Sequence, residues 1–197
     1  MATEHSMTSI MNAALSSQGL ERIDPSQLLF EHRVLMDNWP LIVEAELEDG
    51  QYNFTRQEAT LASRTDGSYG FDDCYLVPGD ALFVRRLWVT RYSVRDDEID
   101  WTQDGQRVHL NSTDGCTIEY VVSPDVQRFS ANFSRGVQMK LEACLLRAAK
   151  EEYQEAQSME NAAETYLQRA RTASSKERRA SKPYKEGRMA RARFGRG

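Results

Sequence analysis

Apolar positions along the chain change period twice, and the changes divide it. Near the N-terminus Met7, Ile10, Met11 and Ala14 recur at helical spacing and Gly19 supplies a stop, which predicts a short helix within residues 1–23. Asp24-Pro25-Ser26 reads as a second helix start, a capping side chain followed by proline in the first turn. Leu28, Leu29, His32, Leu35 and Met36 follow at helical spacing. Pro40 lacks an N–H and restricts Trp39, so the helix is expected to end or kink there, with a second piece from Leu41 to Glu48.

In the middle the helical period gives way to strand-like alternation. Asp49-Gly50, Asp66-Gly67, Asp104-Gly105 and Asp114-Gly115 each suit the positive φ angles of a tight hairpin. Between them lie β-rich runs: Phe54–Ala62, Cys74–Val77, Leu82–Thr90 and Thr117–Val122. These predict one antiparallel sheet of roughly four to six short strands. After Ser123-Pro124-Asp125 the helical period returns. Phe129, Phe133, Val137, Leu141 and Leu145 stand four apart, with Cys144 beside them, and need a buried partner. A further stripe runs through Tyr153, Ala156, Met159, Ala163, Tyr166, Leu167 and Ala170, so two helices are expected with a break within 150–159. Gly136 weakens the first of them by about 1 kcal/mol relative to alanine.

The predicted fold class is therefore α+β: a helical bundle of N-terminal helices and two long C-terminal helices, an inserted small antiparallel sheet, and an extended basic C-terminal arm. The expected units are N-terminal helices (1–50), a β part (51–123), the long C-terminal helices (124–171) and the arm (172–197). The arm has no apolar period and cannot bury enough surface to offset its own ordering entropy, so it is expected to order only on a partner.

Charge sharpens this division. The net charge of −5 conceals a basic end: from Arg169 to Gly197 there are 11 Lys or Arg against Glu177 and Glu186. An acidic body with a basic arm implies a separate partner for the arm. No apolar run approaches the roughly 20 residues of a membrane span, and the N-terminus lacks the blocks of a signal peptide. Cys74, Cys116 and Cys144 are odd in number and far apart, which fits a reducing cytoplasm better than a disulfide framework.

The residues give little for catalysis to work with. His5, His32 and His109 are isolated, no His or Cys pair has ligand spacing, and no metal or cofactor is expected. The acidic run Asp96, Asp97, Glu98, Asp100 and Asp104 lacks the alternation and glycine of a calcium loop and reads as a solvated loop. Cys144 lies on an apolar stripe and reads as a core thiol. The carboxylate pairs Asp72-Asp73 and Glu151-Glu152 would have to converge to do glycosidase work, which neighbours on one element rarely do. Trp39, Phe54, Trp88 and Tyr120 read as core. Trp101, in a charged hairpin, fits core and interface anchor equally. The arm fits either phosphate or an acidic protein surface. It has no interleaved aromatic ladder, only Tyr184 and Phe194, which favours protein.

The order of elements resembles the head–tail connector (adaptor) proteins of tailed phages, in particular the tail tubular protein A family of short-tailed phages. Ile10-Met11-Asn12-Ala13-Ala14-Leu15, with Gly19 and Ile23, is like that family's opening helix. Arg33-Val34-Leu35-Met36 precedes Tyr52-Asn53-Phe54-Thr55 and Leu61. Tyr69-Gly70-Phe71, Leu76-Val77-Pro78-Gly79-Asp80 and Leu82-Phe83-Val84-Arg85 are similar to its "aromatic, Leu-Pro-x-Asp, strand" segment. Ile118-Glu119-Tyr120, Phe129 and Phe133 lead to Tyr166-Leu167-Gln168-Arg169-Ala170-Arg171 and a Gly-Arg-rich end, Gly187-Arg188-Met189-Ala190-Arg191-Ala192-Arg193.

The resemblance implies a structural subunit, not an enzyme, in a homo-oligomeric ring of about twelve copies below the portal, since heterologous contacts close into rings. It implies a virion protein assembled in the host cytoplasm, joined to the portal and to a tail protein, nozzle or tail-completion. Genomic DNA would pass through the lumen without sequence-specific binding, and no membrane is involved. Portal contacts would fall to Arg178, Arg179, Lys182, Tyr184, Lys185, Arg188, Arg191, Arg193, Phe194 and Arg196, and tail-side contacts to Trp101 and Asp104. The alternatives are a virion-associated envelope-degrading enzyme and a nucleic-acid-binding protein using the arm.

Overall fold

A serine cap starts the first helix, α1 (Met7–Ser17): the Ser6 hydroxyl accepts the Ser9 N–H at 3.1 Å and the Ser9 hydroxyl accepts the Ser6 N–H at 2.9 Å. This reciprocal pair satisfies two otherwise orphaned donors. Ile10, Met11, Ala14 and Leu15 face inward, and Gly19 takes up φ +70 just beyond the helix. The computed structural model describes residues 6–26, 28–50, 52–91, 94–96 and 98–177.

The second helix, α2 (Phe30–Asp49), begins later than the Asp-Pro-Ser signal predicts. The Asp24 carboxylate instead accepts the N–H and hydroxyl of Ser26 at 2.8 and 2.7 Å, closing a local turn. His32 holds the true start. Its Nδ1 accepts the Leu29 N–H at 3.3 Å, so Nε2 carries the proton and donates to the Glu21 carbonyl at 3.2 Å. Nor does Pro40 end the helix. It sits inside α2 on the exposed side, where the carbonyl it leaves without a helical partner can turn to water. An interior proline costs about 3 kcal/mol. Burial of Leu35, Trp39, Val43 and Leu47 on the opposite side, at roughly 1.5–3 kcal/mol each, outweighs it.

The β region forms two four-stranded antiparallel sheets rather than the single sheet expected from the sequence. One has the order β1 (Arg56–Leu61), β8 (Cys116–Val122), β4 (Ala81–Arg91), β5 (Val94–Asp96). The other has the order β2 (Arg64–Asp66), β3 (Asp73–Leu76), β7 (Arg107–Leu110), β6 (Trp101–Asp104). In the first sheet Leu61 stands opposite Cys116, and Leu87 opposite Ile118. Leu61, Tyr75, Val77, Leu87, Val108, Leu110 and Ile118 from both sheets share one core.

The four Asp-Gly pairs do three different jobs. Asp104 pairs with Arg107 across a two-residue hairpin whose Gly105 has φ +55, and Asp66-Gly67 opens the longer β2–β3 connection. Asp49-Gly50 closes α2, the Gly50 N–H donating to the Glu46 carbonyl at 2.9 Å. Asp114-Gly115 carries the chain from one sheet to the other.

The long C-terminal stripe folds as two helices, α3 (Ala131–Ala149) and α4 (Tyr153–Lys176), broken within the expected interval. Glu151 makes the break at φ +58, and the Glu152 N–H returns to the Leu146 carbonyl at 3.0 Å. Phe133, Val137, Leu141 and Leu145 are buried against α1, α2 and α4. Tyr153, expected on the inward stripe of α4, is exposed instead, at the first position of the helix.

Gly136 lets α3 and α4 approach. A Cβ there would lie 2.6 Å from Cγ and Cδ2 of buried Leu167 and 3.4 Å from the Ala163 carbonyl. Gly136→Ala should therefore destabilise the protein, by up to about 2 kcal/mol: overpacking costs of about 1–3 kcal/mol are set against the roughly 1 kcal/mol of helix propensity gained. A rise in the urea midpoint of this variant would show that the space is not needed.

Candidate functional site

Glu46 falls on the buried side of α2 between Val43 and Leu47, so its carboxylate is carried into the interior. Three elements meet it there. The Tyr52 hydroxyl donates to Oε1 at 2.6 Å, and Lys140 Nζ of α3 lies 3.3 Å from Oε2. Arg171 of α4 donates from Nε at 3.1 Å and from Nη2 at 2.6 Å, while its Nη1 reaches Glu164 at 2.7 Å. The carboxylate's four acceptor sites are thus well used, which is what makes a buried charge tolerable. Burial first, and then the bond to Glu46, hold the Tyr52 phenol well above its ordinary range, so it stays a donor.

One turn further along α4 a second clamp fixes the helix end. The Asn53 N–H donates to the Ser174 hydroxyl at 2.6 Å, and its Nδ2 donates to the Ser174 carbonyl at 2.6 Å and to Glu177 at 3.3 Å. Asn53 stands four residues beyond the end of α2. Phe54 next to it joins Tyr52, Phe129 and Phe133 in an aromatic cluster with centroids 4.6–5.9 Å apart. The C-terminal end of α4 is thereby anchored beside the C-terminal end of α2. The chain continues from there into the residues expected to meet a portal: Arg178, Arg179, Lys182, Tyr184, Lys185, Arg188, Arg191, Arg193, Phe194 and Arg196. All ten lie outside the described residues.

The β region carries the two other residues singled out from the sequence. Trp101 is half-buried, pairs with Leu110 at the end of β6 away from the turn, and packs on the β core. That placement favours the core alternative for its ring. Asp104 is exposed at the hairpin and accepts the Tyr69 hydroxyl at 2.8 Å. Tyr69 occupies a Tyr-Gly turn at φ +60 and lies edge-on to buried His109 at 5.2 Å, while the Ser68 N–H donates to His109 Nδ1 at 3.1 Å.

The two carboxylate pairs sit in different settings. Asp73 is buried with Arg64 Nε 2.5 Å away, whereas Asp72 is exposed. Both border a polar cleft of about 590 Å³ with Asn111, Ser112 and Asp114. Glu151 and Glu152 are exposed at the helix break. Among the described residues no group of His, Cys, Asp or Glu has metal-binding geometry, and no helix is long and apolar enough to cross a membrane.

Burial pushes the Cys116 thiol up to about 12 from an ordinary value of 9.0, and also raises Cys144, which Arg147 only partly offsets. Neither is activated as a nucleophile, which needs a depressed value. Raised folded values mean that the stabilisation is fully present below the unfolded value and is lost as pH rises. The urea midpoint should therefore hold to about pH 8 and fall progressively from about 9 to 12 as unfolded thiols and phenols ionise. Cys116→Ala should flatten part of that decline, and an unchanged slope would show that this thiol is not responsible.

Sequence reasoning missed Glu46, Tyr52, Lys140, Arg171, Asn53 and Ser174 as a working group. The one available signal was an acidic residue at an inward position of α2.

No protein-family model and no curated protein sequence matches the chain.

Proposed function

We propose that the chain is a head-to-tail connector subunit of a tailed phage, one copy of a ring below the portal, joining it to the tail around a conduit for DNA. The observation that carries this reading is the direct continuation of a clamped α4 into residues 178–197. That segment holds eight Lys or Arg and one Glu, against seventeen basic and twenty-nine acidic residues before it. An α+β body with helices at one end and an inserted β part offers two distinct contact regions. The fixed end of α4 tethers a basic segment that suits a neighbouring acidic surface. An arm that orders on contact covers a large area at modest affinity per area, which suits ordered stepwise assembly. Phe30 and Leu41, exposed on α2, suit lateral packing between ring neighbours once assembled.

The test mixes the full chain with portal and images the product by electron microscopy. The expected result is an added ring layer. Removing residues 178–197, but not the clamp at Ser174, should abolish docking and leave the body's circular dichroism unchanged. Normal docking by that variant would reject the arm's role. Steeply salt-dependent duplex binding by the full chain, together with no affinity for portal, would instead support a nucleic-acid-binding function.

A further inference from the structure

The outer side of α2 is unusual for a surface helix. Phe30, Asp37, Leu41, Glu44 and Glu48 follow one another at spacings of seven, four, three and four, so they share one narrow stripe. It lies opposite the buried stripe of Leu35, Trp39, Val43 and Glu46. Phe30 is 59% exposed and Leu41 67%, and the three acids are exposed between and beyond them. None of Asp37, Glu44 and Glu48 has an ion-pair partner among the described residues. The result is a stripe in which large apolar side chains alternate with carboxylates.

We propose that this stripe is a docking surface, and that its occupant in the unassembled subunit is the same chain's basic segment, residues 178–197.

Three observations select that occupant. The first is position: the Glu46–Arg171 and Asn53–Ser174 contacts hold the end of α4 at the C-terminal end of α2, the end that carries Glu48, so the segment has only to cross the width of one helix, about 10–12 Å, to reach the stripe. The second is reach. α2 is about 30 Å long at 1.5 Å per residue. Twenty residues extend to roughly 66 Å at most, so the segment can run back along the whole helix with slack. The third is chemistry. The segment supplies eight Lys or Arg for three carboxylates, and Tyr184, Met189 and Phe194 for Phe30 and Leu41. Exposed pairs are individually weak, but a tether raises the effective concentration to the order of millimolar, so weak contacts suffice. Such docking is reversible by design of its energetics: a partner with a larger acidic surface displaces it. It would shield the apolar stripe and occupy the arm until that partner arrives. The inference concerns the free subunit and stands whether or not the partner is a portal.

Zero-length carbodiimide coupling of the full-length chain at low ionic strength tests it, with linked peptides mapped by mass spectrometry on an equal mixture of isotopically light and heavy protein. Links from Lys182 and Lys185 to Asp37, Glu44 or Glu48 within one chain are expected, weakening about tenfold in 1 M salt, where screening acts within roughly 3 Å. In Glu44→Lys the links to Asp37 and Glu48 should also fall several-fold, and Leu41→Ser should reduce all three, with circular dichroism checking that each variant is folded. Links mainly between light and heavy chains would assign the stripe to a second copy and overturn the proposal. So would links from both lysines to other acids, such as Asp72 or Asp114, or the absence of links from either lysine.

Discussion

Replacing Glu46 by leucine is expected to lower the unfolding free energy by about 3–5 kcal/mol, the cost of leaving buried charge without its counter-ion. The carboxylate is 2% exposed and accepts from Tyr52 and Arg171 while pairing with Lys140. Its loss leaves Lys140 and the Tyr52 phenol without their acceptor at the junction of α2, α3 and α4, and leaves Arg171 only the exposed Glu164. Lys140 and Arg171 keep 29% and 25% side-chain exposure, so water can recover part of the loss and places the value toward the lower end of the range. Against a typical total of 5–15 kcal/mol this is a large fraction. Glu46→Gln keeps the volume and one acceptor oxygen but removes the charge, and should cost less. Replacing Glu46, Lys140 and Arg171 together by apolar residues should restore much of the stability, because no unpaired charge remains. Urea unfolding at constant slope measures all three. A loss below about 1 kcal/mol for Glu46→Leu, a value proper to a surface pair, would show that the cluster is not a keystone.

The contrast between that cluster and the helices around it shows what the chain makes legible. Phe133, Val137, Leu141 and Leu145 announce α3 because they repeat, and a repeat survives any single exception. Glu46 is an exception of one residue. Its cationic partners lie 94 and 125 positions away, and Tyr52, six away, stands beyond the end of the helix, so no helical spacing marks it as paired. Pro40 shows the opposite failure: a strong local rule was overridden by four buried side chains on the far side of the same helix. In the β region the longer strands, β4 and β8, were legible as apolar runs, whereas β2 and β5 have three residues each and β6 and β7 four, too short for alternation to register. Division into two sheets was not legible either, since it depends on which strands Asp114-Gly115 separates. The charge of residues 178–197 is plain in the sequence. The point at which the body releases them is not, because the Asn53–Ser174 clamp spans 121 positions.

Gly115→Ala is expected to be at least as disruptive as a large core truncation, costing about 3 kcal/mol or more, although it adds one methyl group. Two costs coincide. Gly115 sits at φ +86, where a side chain adds roughly 1–2 kcal/mol of strain. The added Cβ would also lie 2.5 Å from the backbone carbonyl oxygen of Leu61, the last residue of β1. A backbone oxygen cannot rotate away as a side chain would, so the loop or the strand end must shift, at a further cost of about 1–3 kcal/mol. The shift would disturb a hydrogen-bond knot. The Ser112 hydroxyl donates to the Gly115 carbonyl at 2.9 Å, the Gly115 N–H donates to the Tyr75 hydroxyl at 3.2 Å, and that hydroxyl donates to the Ser112 carbonyl. All of these groups are buried, so any left unpaired carries its own penalty of about 1–3 kcal/mol. Gly105→Ala is the control that separates the costs: Gly105 is also left-handed, at φ +55, but nothing lies within 4 Å of its Cβ position. It should show the backbone strain alone, about 1–2 kcal/mol. If thermal or urea unfolding found the two variants equally stable, the close approach of Gly115, at the entry to β8, to the Leu61 carbonyl at the end of β1 would not be what requires glycine there.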